Sequence, residues 1–197
     1  MNALRWIAVG IDLAASETKN TGVAAISEHF EIDHAIVHTD SEIISYVEAK
    51  SPILVVIDAP LSLPKQRKSL DERSEHHLRQ CDRELLRMGI KFFPITLGPM
   101  RQLTKRGMAL AKVLREKGYN VFEGYPGGAQ DILGIPRKSK GLHFLVQGLR
   151  RHHLNVGEWS ADELDAVTCA YVGLLYTKNQ ARLIGDPSEG EMLLPMR

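Results

Sequence analysis

The stretch Trp6–Ala14 reads W-I-A-V-G-I-D-L-A. Ile7, Val9 and Ile11 fall on one face of a strand, and Ala8, Gly10 and Asp12 on the other. A carboxylate at the end of an apolar strand is costly unless something binds it. The pattern returns at Ile53–Asp58 (I-L-V-V-I-D, then A-P-L) and more weakly at Val121–Glu123 (V-F-E, then G-Y-P). If these strands are parallel neighbours, their acids sit at one sheet edge, with strands about 4.8 Å apart. The carboxyl ends of such strands are where α/β sheets place ligands. Taken singly, each acid reads equally well as a turn or helix cap.

The chain around these segments predicts an α/β protein. After Asp12, Gly22–Ser27 and Glu31–His38 read as strands joined by short connections, hence an antiparallel meander. Thr39 or Ser41 caps a helix to about Lys50, and the Asp58 strand follows. A charged helix is expected over about Leu70 to Met88, closed by Gly89, then a loop, then a helix over Met100–Gly118. After the Glu123 strand, Pro126-Gly127-Gly128 reads as a loop before a short helix over Ala129–Leu133. Lys140–His153 reads as a further helix. Ser160 and Glu163 form an S-x-x-E capping box that starts the last long helix, about Ala161 to Thr177. A tail over Ile184–Pro195 holds an Asp186-Pro187 turn and a short strand at Met192–Leu194. The simplest division is one domain, 1–197, with a helical insertion over about 62–118.

Composition excludes little. The chain is 44% hydrophobic and 25% charged, ordinary for a globular protein. Its formal net charge of +1 means that nucleic-acid binding must come from a local patch. Cys81 and Cys169 make neither a disulfide framework nor a metal-ligand spacing, which fits a reducing cytoplasm. No apolar run approaches the roughly 20 residues of a membrane span.

The capping box places Asp162 and Asp165 in the first two turns of the last helix, three apart and on one face. The turns beyond are apolar, so the helix must pack on the sheet and its start can bring both acids toward the strand ends. Acids in a first turn also complement the helix dipole. Four carboxylates drawn from two strands and one helix would repel one another unless a cation neutralised them. All-oxygen ligands suit Mg2+ or Mn2+ rather than zinc. Two such ions can activate a water and stabilise the leaving oxygen in phosphodiester cleavage. No G-x-S-x-G, H-E-x-x-H or G-x-x-x-x-G-K-[ST] motif competes.

Within Lys65–Lys91, eight Lys or Arg face five acids. Arg79, Arg83 and Arg87 recur every four residues and are expected to line one helix face. That face reads as a phosphate grip, or as a solvated surface with internal ion pairs. Lys19, in the loop after the first strand, is a weaker phosphate candidate. No aromatic residue is interleaved in Lys65–Lys91, so base stacking is not indicated there.

The order β-β-β-α-β-α-β-α with an Asp on the first strand resembles the ribonuclease H-like fold: a mixed five-stranded sheet flanked by helices. An acid on the fourth strand and D-x-x-D on the last helix are closest to RuvC-type Holliday-junction resolvases. The local motifs are G-I-D-L-A (Gly10–Ala14), I-D-A-P-L (Ile57–Leu61), C-D-R-E-L (Cys81–Leu85), E-G-Y-P (Glu123–Pro126), D-E-L-D-A (Asp162–Ala166) and I-G-D-P-x-E-G (Ile184–Gly190). Together they resemble the domain of unknown function 429 family, regarded as predicted nucleases with a ribonuclease H-like fold. The resemblance implies Asp12 and Asp58 as strand ligands of Mg2+ or Mn2+, Asp162 and Asp165 as helix ligands, and nucleic acid as substrate. Glu123 matches the family's own E-x-Y-P pattern and is a further candidate ligand. The insertion is absent from the minimal fold and is read as a lid or substrate-binding element.

The leading expectation is a metal-dependent phosphodiester hydrolase. A non-catalytic nucleic-acid-binding or scaffold protein on the same fold is the alternative. A phosphotransferase akin to actin and the sugar kinases is a third reading. It would need a duplicated domain for which this length leaves no room.

Overall fold

The computed structural model describes residues 5–196. Seven strands form one mixed sheet: β1 (Trp6–Asp12), β2 (Thr21–Ser27), β3 (Ile32–Val37), β4 (Leu54–Asp58), β5 (Asn120–Gly124), β6 (Ala181–Asp186) and β7 (Gly190–Pro195). Their order across the sheet is β3-β2-β1-β4-β5-β7-β6. β1, β2 and β3 pair antiparallel, whereas β1–β4, β4–β5 and β5–β7 pair parallel. The expected sheet had five strands. The two additional positions belong to the hairpin β6–β7, which extends the β5 edge.

Both faces of the sheet are covered, which is why β1 and β4 read as nearly unbroken apolar runs. Val9, Ile11, Val55 and Ile57 point to one side and pack with Ile43 and Val47 of α1 (Asp40–Lys50). Leu110, Ala111 and Leu114 of α3 (Gly98–Glu116) complete that layer, while α2 (Gln80–Arg87) lies elsewhere. Ala8, Leu54 and Val56 point to the opposite side. There they meet α6 (Ala161–Thr177), against which α4 (Pro126–Leu133) and α5 (Leu142–Arg151) pack in turn.

Helix α6 lies against the sheet with almost no intervening side chain. A Cβ on Gly10 would stand 2.0 Å from the Ala166 carbonyl oxygen, and one on Gly22 2.1 Å from that of Asp162. The helix start is fixed by the expected box: Ser160 Oγ accepts from the Glu163 N–H, and Glu163 Oε2 accepts from the Ser160 N–H. These contacts bring the first two turns of α6 to the carboxyl end of β1.

The insertion departs from the expected helix over Leu70 to Met88. Residues 62–79 are irregular, and α2 begins at Gln80. The cause is Arg67, nearly buried, whose guanidinium donates to the carbonyls of Ser69, Leu70, Glu72 and His76. Those acceptors need no helical N–H once Arg67 supplies them. Pro126-Gly127-Gly128, expected as a loop, forms the first turn of α4, because proline suits the first helical position.

Candidate functional site

β1 and β4 are in parallel register, and the register pairs Asp12 with Asp58. Their side chains stand side by side at the ends of adjacent strands. Both retain some accessible surface, yet protein surrounds them on their other sides. Burial, reinforced by the Asp165 and Asp162 charges, pushes Asp12 up to about 7 against the opposing pull of Lys138. Burial, followed by repulsion from Asp12 and Asp165, holds Asp58 well above the carboxylate range.

Asp165 is buried, and its two oxygens are engaged separately. Oδ1 accepts from Gln130 Nε2 at 2.7 Å, and Oδ2 takes an ion pair from Lys138 Nζ at 2.8 Å. Gln130 is fixed by a further bond to Thr168 Oγ1. Lys138 opens a short 3-10 turn, Lys138–Lys140, after α4. Burial works against its charge, but Asp165, then Asp12 and Asp162, outweigh that and raise its pKa. Asp162 is half-buried, and its charge is felt at Asp12. The four aspartates therefore gather at one sheet edge without closing into a cage. Among the described residues, no group of three or more His, Cys, Asp or Glu side chains is arranged to hold a metal ion. Asp12 and Asp58 stand together at the strand ends, with Asp165 paired to Lys138 beside them.

A family model matches residues 10–189. The chain belongs to the family described as "Protein of unknown function (DUF429)". A comparison with curated proteins finds no match. The DUF429 span takes in the aspartates, Lys138 and the whole insertion.

Two candidates from the sequence occupy different places from those expected. Arg79 does not share an exposed face with Arg83 and Arg87. It precedes α2 as its N-cap and is 1% exposed. Its guanidinium donates to both oxygens of Asp82, at 3.1 and 2.9 Å, and to both oxygens of Glu123, at 2.6 and 2.7 Å. Burial works against the Arg79 charge, but Glu123 and Asp82 outweigh it and hold the guanidinium well above its ordinary pKa. Glu123 in turn has both oxygens engaged, Oε2 by Arg79 and the Leu61 N–H and Oε1 by Arg79, so its charge is already matched within the protein. Arg83, Arg87 and Lys19 are exposed.

Next to Asp58 and Asp165 lies a cavity of about 440 Å3, walled by Phe92, Phe93, Ile95, Met100, Leu103 and Tyr125. Lys138 and Arg137 also line it, paired with Asp165 and Asp131 respectively. Nothing local in the chain points to this juxtaposition. Phe92 and Phe93 fall just outside the basic stretch, and Lys138 sits in a polar run without periodicity. One signal was available: Arg79 and Asp82 are three apart, a spacing compatible with an ion pair as well as with a shared face.

Proposed function

We propose that this protein is a nuclease that hydrolyses phosphodiester bonds with Mg2+ or Mn2+ held chiefly by Asp12 and Asp58. The observation that carries the reading is the in-register carboxylate pair on adjacent parallel strands, with Asp165 beside it. The sheet order β3-β2-β1-β4-β5 supports the ribonuclease H-like resemblance, with β6–β7 as an addition at the far edge.

The donor set fits such an ion. Mg2+ is commonly bound by one or two carboxylates, with waters and substrate phosphate completing its shell. Two carboxylates forced together at raised pKa are the arrangement a divalent cation relieves. When bound, the ion would supply positive charge to the phosphate and lower the pKa of a water. The protein's own groups do the remainder. Asp12 and Asp58 present oxygens at one edge of a rigid sheet. Gln130 and Lys138 fix the orientation of Asp165. Exposed Arg83 and Arg87 provide outlying phosphate contacts. Cys81 and Cys169, free and buried, agree with a reducing cytoplasm.

A second reading is favoured by the Lys138–Asp165 ion pair, which neutralises one acid without any metal. On that reading the protein binds nucleic acid and cuts nothing. The test is cleavage of a panel of single-stranded, duplex and junction nucleic acids with Mg2+ or Mn2+, in wild type and Asp58→Asn. The wild type is expected to cleave at least one of them. Asp58→Asn should lose more than the roughly 10–100-fold typical of removing an outer hydrogen-bonding partner of a metal ligand. Cleavage that persists undiminished in Asp58→Asn would show that the chemistry lies elsewhere.

A further inference from the structure

We propose that the cavity beside Asp58 receives the base of an unpaired nucleotide, so that the substrate is a single strand or an unpaired segment. The inference rests on the nuclease reading and specifies its substrate. The cavity volume of about 440 Å3 lies within the range of small-ligand pockets, roughly 300–1,000 Å3. Its walls are aromatic, thioether and aliphatic surfaces: Phe92 and Phe93 from the segment after α2, Tyr125 before α4, Met100 and Leu103 from α3. Phe93 is 72% exposed, a large apolar ring left in solvent next to a concave apolar wall.

The cavity lining is of two kinds. The apolar walls suit a flat ring. Lys138 and Arg137 also line it beside Asp58 and Asp165, each already paired with an acid, Asp165 and Asp131 respectively. On the nuclease reading an ion held beside Asp58 would take the attached phosphodiester, so a ligand with a flat apolar part and an anionic part a short distance away matches the site. A base within a duplex does not, because its two faces are covered by its neighbours and it must be extruded to enter a concave site. The polar groups near the cavity are largely committed to each other. Gln130 Nε2 serves Asp165 and Thr168, and Arg79 serves Asp82 and Glu123. Few donors remain to read a base edge, so recognition by stacking is expected, with weak preference among the bases.

The test is equilibrium binding of a labelled mixed-sequence single strand and of the corresponding blunt duplex, with Ca2+ in place of Mg2+. Three full-length proteins are compared: wild type, Phe93→Ala and Ser139→Trp. Phe93 is mostly exposed, so its truncation leaves the core intact. Ser139 is exposed on the cavity lining, and a tryptophan there fills the opening. Melting curves verify that both variants are folded. The wild type should prefer the single strand, and each variant should lose about tenfold in single-strand affinity with little change for the duplex. Equal binding of both nucleic acids, unaffected by either substitution while metal-dependent cleavage persists, overturns the base pocket and leaves the nuclease reading standing. A wild type that neither binds nor cleaves nucleic acid overturns both. Competition by free deoxyadenosine monophosphate as strong as that of the oligonucleotide would assign the cavity to free nucleotides and overturn the strand proposal.

Discussion

Asp12 titrates near neutrality because its neighbours and its burial both oppose its charge. In the unfolded chain the same carboxyl ionises near 3.8. Between those two values the folded protein binds a proton that the unfolded chain has released, so stability declines as pH rises. The contribution is complete below about 4, is lost through about 7, and is flat above. Its size is of the order of a few kcal/mol, shared with Asp58 because the two titrate as a pair. Melting curves in EDTA are therefore expected to fall by several degrees from pH 4.5 to pH 8, at roughly 2–4 °C per kcal/mol. Asp12→Asn should flatten that decline and melt above wild type at pH 8. Adding Mg2+ should stabilise wild type at pH 8 more than the mutant. Parallel pH profiles for the two proteins, with equal responses to Mg2+, would mean that Asp12 carries no such strain. This aspartate was legible in the sequence because the same strand-then-acid pattern returns at Asp58 and Glu123, which a single turn or helix cap does not explain. Lys138 was not legible, since nothing local distinguishes it from Lys140.

The insertion shows what spacing conveys at the scale of an element and what it omits. Residues four apart share a helix face if the helix exists at both positions. Arg79 stands one residue before α2 begins, where the backbone is extended and its side chain turns inward. There it joins α2 to β5 through Asp82 and Glu123. Arg79→Met leaves two carboxylates buried without their partner, which should cost about 3–5 kcal/mol. That corresponds to a melting temperature lower by roughly 6–20 °C. Arg83→Gln and Arg87→Gln together should stay within about 0.5 kcal/mol of wild type each. They should instead reduce the salt dependence of nucleic-acid binding by up to about two charges' worth of slope. Comparable melting of all three variants would show that the Arg79 pairs contribute nothing to holding α2 in place.

At the scale of the whole molecule, the distance between Asp165 and Asp12 is set by glycine. Because Gly10 has no side chain, α6 rests directly on β1. Gly10→Ala places a methyl group 2.0 Å from the Ala166 carbonyl oxygen, so the helix must move outward and carry Asp165 with it. The substitution should lower stability by at least 1–3 kcal/mol, as overpacking does, and weaken Mg2+-induced stabilisation at the same time. Gly98→Ala is the control, since nothing lies within 4 Å of its added methyl. A Gly10→Ala protein that melts and responds to Mg2+ like the control would show that helix and sheet have slack between them. The strand order through β5 and the α6 boundaries were readable because apolar period and capping chemistry agree there. The β6–β7 hairpin was only partly readable. Arg182, Gly185 and Asp186 dilute the apolar pattern of β6, and its pairing partner is itself a short strand.

The turn of that hairpin has a consequence in time. Glu189 Oε1 accepts from the Lys65 N–H, and Oε2 accepts from the Gln80 N–H, across 124 and 109 positions of sequence. One carboxylate thus holds the irregular segment of the insertion near both its ends. As the chain leaves the ribosome, the aspartates of β1 and β4 are made early, and the residue that pins the insertion beside them is made among the last. Contacts this distant in sequence close slowly, because loop entropy must be overcome before they contribute. A nascent chain halted between β4 and Glu189 would have its carboxylate pair and lack the clasp, so the segment from Lys65 to Gln80 is fastened late.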